Sequence, residues 1–271
     1  MFTSLKLGKL FGIDTYIHWS FWWLLLWIGI SSGMASGWLS GLTAMLFVAV
    51  LFGCVYLHEL GHALAGRQLG IPTLDITLLP FGGVARMAAI PERPWQEVLI
   101  AVAGPAVNVV LAGMLLTGLV LYGGFSLLME QSPLELPWIE QLCLVNVGLV
   151  VFNMIPAFPM DGGRVLRAVL ATQWGHLQAT EVAARVGRWI ALAMIVFGIV
   201  MWIPSLALVG LFVWIAGMGE LMAVRWRHMQ SQVPPRPDYP WQANGRDPWH
   251  SSPWDSDRST IDADEVRPLP K

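Results

Sequence analysis

The 271-residue chain carries 16 Lys and Arg against 18 Asp and Glu, a formal net charge of −2, with 55% hydrophobic and only 13% charged residues. A soluble protein of this size has roughly a quarter of its residues charged, so the composition excludes an ordinary soluble domain and offers no basic face for nucleic acid. Cys54 and Cys143 both fall in apolar stretches, which argues against a disulfide framework and for two small packing residues.

From the N-terminus, Lys6 and Lys9 precede the apolar run Phe21–Ile30 and then Met34-Ala35-Ser36. That order resembles a secretory signal, but the apolar remainder of the chain makes an uncleaved first span the simpler expectation. Hydropathy places six spans at about His18–Ile30, Gly41–Gly66, Val98–Tyr122, Ile139–Ile155, Val186–Ile203 and Ser205–Val224. His18 and the Trp residues near span ends, such as Trp19, Trp38 and Trp138, fit the membrane interface.

Span two ends on His58-Glu59-Leu60-Gly61-His62. On a helix the two imidazoles lie four residues apart on one face. Both can reach one metal ion while Glu59 approaches a water beside it. Ionisable groups inside an apolar helix are costly and usually functional. Between spans two and three, the β-prone runs Leu74–Leu79 and Val84–Ala88 flank Pro80-Phe81-Gly82-Gly83, which predicts a small hairpin. Such an edge could accept an extended peptide by strand addition, with Gly82 and Gly83 as candidate substrate-binding positions.

Two His leave a catalytic zinc site one protein ligand short. After span four comes Asn153-Met154-Ile155-Pro156-Ala157-Phe158-Pro159-Met160-Asp161-Gly162-Gly163-Arg164. Spans two and four run in the same direction, so Asp161 finishes at a depth similar to the His pair. Asp161 could instead cap the helix that follows; the His pair tips the reading towards ligation. Cys54, one turn before His58, reads as packing. Glu220, inside span six, could pair with Arg225 or a neighbouring Arg, or line a gate. Asn108 reads as a polar contact between spans.

If the spans alternate, Lys6, Lys9, Arg67, Arg86, Arg93, Arg164, Arg167, Arg185 and the basic tail residues share one side. The loops at about 31–40 and 123–138 hold no Lys or Arg. The positive-inside rule then puts both termini in the cytoplasm of a cell (inner) membrane. The Pro-, Ser- and Asp-rich tail lacks periodicity and reads as disordered. The expected organisation is a transmembrane domain over 1–226 and a cytoplasmic tail over 227–271, in an all-α polytopic fold of about six helices with one small hairpin.

These motifs resemble those of the site-2 protease family of polytopic intramembrane zinc proteases, across roughly residues 10–226. His58-Glu59-x-x-His62 matches the first motif and Asn153-x-x-Pro156 leading to Asp161-Gly162 the second. Pro80-Phe81-Gly82-Gly83 and Ala103-Gly104-Pro105-Ala106-Val107-Asn108 match further. The resemblance implies one Zn2+ per chain held by His58, His62 and Asp161, with Glu59 as general base and Asn153 holding the substrate backbone. It implies a single-span membrane protein as substrate and a lipid surround, with spans five and six as lateral gates. The family's PDZ or tandem regulatory domains have no counterpart in the sequence. Prenyl-protein endoproteases pair the same His motif with a downstream Glu, and no well-placed Glu precedes Asp161. A zinc transporter or sensor using the His pair is the rival from another class, but the sequence offers one compact polar cluster and no continuous polar path.

Overall fold

The computed structural model describes residues 4–89, 91, 93–121 and 138–232. Residues 122–137 and the tail from 233 lie outside the described residues, so the expectations placed there rest on sequence.

The described chain opens with two strands ahead of the first expected span. β1 (Ser4–Leu10) and β2 (Ile13–His18) form an antiparallel hairpin. Phe11 and Gly12 turn it, both at positive φ (51° and 83°), the backbone of a two-residue loop that matches strand twist. Arg67 Nη1 donates to Phe11 O at 2.7 Å and ties the turn to the end of the second helix. Lys6 and Lys9 sit on β1 and face Asp14 of β2 at 2.6 and 3.9 Å.

β2 runs directly into α1 (Trp19–Ser36), which His18 caps: its Nδ1 accepts from Ser20 N at 3.3 Å. His18 thus has a structural role at the start of the helix. Gly37, at φ 93°, turns the chain into α2 (Trp38–Gln68). The two helices approach closely because Gly41 lies against Gly33; a Cβ on Gly41 would stand 3.2 Å from Gly33 Cα. At about 1.5 Å per residue, the 31 residues of α2 reach beyond a bilayer core of roughly 30 Å. Its last turns therefore stand against the sheet.

The predicted hairpin is present as β3 (Thr73–Leu79) and β4 (Gly82–Met87). It is half of a larger unit: β2 pairs with β3 in parallel, giving a four-stranded sheet in the order β1-β2-β3-β4. Ile13, Ile76, Leu60 and Ala63 form one buried cluster between sheet and α2. Ile17, Leu78, Phe21 and Phe52 form a second against α1.

α3 (Pro94–Leu121) crosses α2 where Gly61 stands; a Cβ there would meet Ala103 O at 2.7 Å and Val107 Cγ2 at 2.8 Å. α4 (Trp138–Asn153) packs on α3. Residues 154–160 then run as an irregular segment in which Ala157, Phe158 and Met160 are almost wholly enclosed, while Met154, Pro156 and Pro159 are exposed. α5 (Asp161–Trp174) and α6 (His176–Val200) follow, and α7 (Pro204–Gln232) closes the described chain. α6 starts ten residues before the expected fifth span, and α7 continues past the expected boundary at 226.

Among the described residues, four helices are long and apolar enough to cross a membrane: α2, α3, α6 and α7. The other two expected spans are the 16-residue α4 and the 18-residue α1. Large side chains such as Trp27, Val110, Met114 and Leu208 are more than half exposed. Apolar surface of that extent fits hydrocarbon rather than water.

A candidate metal centre at the end of the second helix

His58 and His62 lie one turn apart on α2, both buried. Helical spacing puts them on one face, and α3 supplies what orients each ring. His62 Nδ1 stands 2.7 Å from Ile100 O, and His58 Nδ1 stands 2.7 Å from Asn108 Oδ1. A backbone carbonyl can only accept, so His62 Nδ1 carries a proton, and in the neutral ring that a metal requires Nε2 keeps the lone pair. His58 is in the same state wherever Asn108 presents oxygen to it.

The free nitrogens face each other, with the two Nε2 atoms 3.1 Å apart. Asp161 Oδ2 lies 3.2 Å from each. Asp161 is the first residue of α5, and the residue at its N-cap, Met160, makes no side-chain cap. The carboxylate is thus spent on the His pair, and the capping alternative is not the one taken. Gly162 and Gly163 let α5 start here, since a Cβ on Gly163 would meet Ala157 O at 2.8 Å and Phe158 N at 2.7 Å.

Two imidazole lone pairs and a carboxylate oxygen, all buried, repel one another unless a cation lies between them. A tetrahedral zinc with bonds of about 2.0–2.1 Å sets its ligand atoms roughly 3.3–3.4 Å apart. The observed spacings of 3.1 and 3.2 Å fit that donor set. Among the described residues these three form the one group of His, Cys, Asp or Glu able to hold a metal ion together. Cys54 is outside it: its Sγ accepts from Asn146 Nδ2 at 3.5 Å.

Gly104 of α3 makes the site possible. A Cβ there would stand 2.8 Å from His58 Nε2 and overlap the His62 ring. Gly104→Ala is therefore expected to weaken zinc binding by tenfold or more while the helices still assemble, read by competition against a chromophoric chelator. Unchanged affinity would show that the rings move aside.

Glu59 points elsewhere on α2, towards the hairpin. A Cβ on Gly83 would stand 3.2 Å from Glu59 Cδ and 3.3 Å from its Oε1, so β4 lies directly over this carboxylate. Gly82, at φ 142°, begins β4 beside it. Asn153 ends α4, and its Nδ2 donates to Leu149 O at 2.9 Å. Glu220 pairs with Arg167 Nη1 at 2.8 Å rather than with Arg225, which pairs with Glu181. Arg167 Nε also donates to Glu97 Oε1 of α3 at 2.8 Å. Sequence reasoning gave no role to Asn146 or Glu97; the available signal was a polar residue on an otherwise apolar helix.

A sequence profile of Peptidase family M50 matches residues 46–135 and 137–196. A zinc metalloprotease of Methanocaldococcus jannaschii is 38% identical over 221 residues, which is 82% of this chain and 61% of that protein. A Synechocystis relative is 34% identical over 218 residues, 75% of this chain and 55% of that one. The chain thus spans under two thirds of the length of these relatives. Among solved structures, the site-2 protease from Methanocaldococcus jannaschii matches with a TM-score of 0.58 at 36% identity, over 81% of this chain and 95% of that one.

Proposed function

The chain belongs to peptidase family M50, and from that premise we propose that it is an intramembrane zinc endopeptidase cutting transmembrane segments of single-span membrane proteins near the cytoplasmic face. The observation that carries this reading is the convergence of His58 Nε2, His62 Nε2 and Asp161 Oδ2 within 3.2 Å of one another.

These three residues would hold one zinc ion, which when bound lowers the pKa of a water and polarises a carbonyl. Glu59 takes the proton of the attacking water on its carboxylate and returns it to the leaving amine. The β4 edge at Gly82 and Gly83 holds the substrate extended by backbone pairing, beside Glu59. A helix hides its carbonyls in its own hydrogen bonds, so the scissile segment must unwind to reach the site. Asn153, anchored through Nδ2 to Leu149 O, offers Oδ1 to a substrate N–H. Both termini lie in the cytoplasm of a cell (inner) membrane, because the basic residues of the sequence gather on that side.

Purified chain in detergent is expected to cleave a single-span model substrate, to lose cleavage with a zinc chelator, and to regain it when zinc is returned. Zinc bound without cleavage of several such substrates, together with zinc flux in proteoliposomes, would favour a transporter instead.

A further inference from the structure

His58 has no backbone carbonyl against its Nδ1, unlike His62. Its partner is Asn108, an amide that can present either oxygen or nitrogen. A flipped Asn108 would put Nδ2 against His58 Nδ1. The ring proton would then move to Nε2, aimed at His62 and Asp161, where it would occupy the place of a cation. Something must hold the amide the right way round.

The structure supplies it on α4. Asn108 Nδ2 donates to Asn146 Oδ1 at 2.8 Å. Asn146 Nδ2 donates in turn to Leu142 O at 2.8 Å and to Cys54 Sγ at 3.5 Å. A backbone carbonyl has no proton to give, so Leu142 O orients Asn146, Asn146 orients Asn108, and Asn108 orients His58. Both Asn side chains are fully buried, at 0% exposure. Bulk solvent does not reach either amide, and a flip would set two amide oxygens against each other.

We propose that Asn146 and Asn108 form a directional amide relay that locks His58 in its metal-accepting tautomer, making both of them positioning residues for the metal centre. The relay reaches from a helix that carries no ligand, and it joins α2, α3 and α4 at one point. It rests on the zinc reading above.

The test is zinc affinity of the full chain in detergent, measured by chelator competition. Asn146→Leu is expected to weaken zinc 10–100-fold, the usual cost of losing an outer partner of a ligating His. Asn108→Asp keeps an oxygen towards His58 whichever way it turns, so it should bind zinc at least as tightly as the wild type. In that background Asn146→Leu should cost less than about threefold, because nothing is left for Asn146 to orient. A packing role for Asn146 would give the same loss in both backgrounds, and that result, or no loss in the wild type, overturns the relay. If Asn108→Asp does not fold, Asn108→Leu and the Asn108→Leu/Asn146→Leu pair replace it. Serial action makes the pair no worse than Asn108→Leu alone, whereas losses that add would refute it. Wild-type chain that binds no zinc would instead sink the metal reading itself.

Discussion

Glu59→Gln is expected to bind one zinc per chain as the wild type does and to lose about 10²–10⁴-fold in cleavage rate, the range a positioned acid–base group supplies. The triad of His58, His62 and Asp161 does not include Glu59, so an amide in its place leaves the donor set whole. The Gln side chain has the same shape, and the contact with Gly83 survives. What disappears is the ability to accept a proton from water. Metal analysis and single-turnover cleavage of a transmembrane substrate give the two readouts. Loss of zinc along with activity would make Glu59 part of the metal site; near-normal turnover would remove it as the base. Asp161→Ala provides the contrast, since it should lose most of its zinc and its cleavage together.

The centre of this site is legible in the sequence because it is a short-range pattern. Four residues on one helix put two rings on one face, and the direction of α2 and α4 puts Asp161 at the same depth. The layer behind it is not. Asn108 could be read as a polar contact between spans, but its partner Asn146 lies 38 residues away on another helix. Nothing local marks an Asn among Leu and Val as the one that orients a metal ligand. The same holds for Glu97 and Arg167, 70 residues apart.

The sheet shows a different kind of miss. Ile13, Thr15 and Ile17 are buried and alternate with Asp14, Tyr16 and His18, which are only partly so. That is a strand signal of period two. It was obscured by the two lysines before it and by the aromatic run after it, which together suggest a membrane entry. Even with β2 recognised, its parallel pairing to β3 joins Asp14 with Asp75 across two intervening helices, α1 and α2. Such a pairing is set by how those helices fold back on each other, at Gly37 and Gly41, and only a three-dimensional structure shows it.

Arg167→Met should destabilise the protein strongly although it lies outside the metal ligands. Arg167 is 6% exposed, on the α5 helix that begins with Asp161. Its Nε donates to Glu97 Oε1 of α3 at 2.8 Å, its Nη2 meets the same oxygen, and its Nη1 donates to Glu220 of α7 at 2.8 Å. The guanidinium also lies 5.1 Å from the Phe158 ring centroid. One planar cation thus joins three helices and covers Phe158 in the segment leading to Asp161. A buried pair adds little over an apolar packing, but removing one partner alone leaves an uncompensated charge at a cost of about 3–5 kcal/mol. Thermal unfolding in detergent should show a fall on the order of 10 °C. Zinc affinity should also drop, because α5 carries the third ligand. Arg167→Lys should restore only part of this, since an ammonium cannot reach both carboxylates in the same fork. Adding Glu97→Gln to Arg167→Met should recover part of the loss by removing the stranded charge. If that second change makes matters worse, the Glu97 carboxylate has a partner beyond Arg167, and the cost lies in lost packing on Phe158.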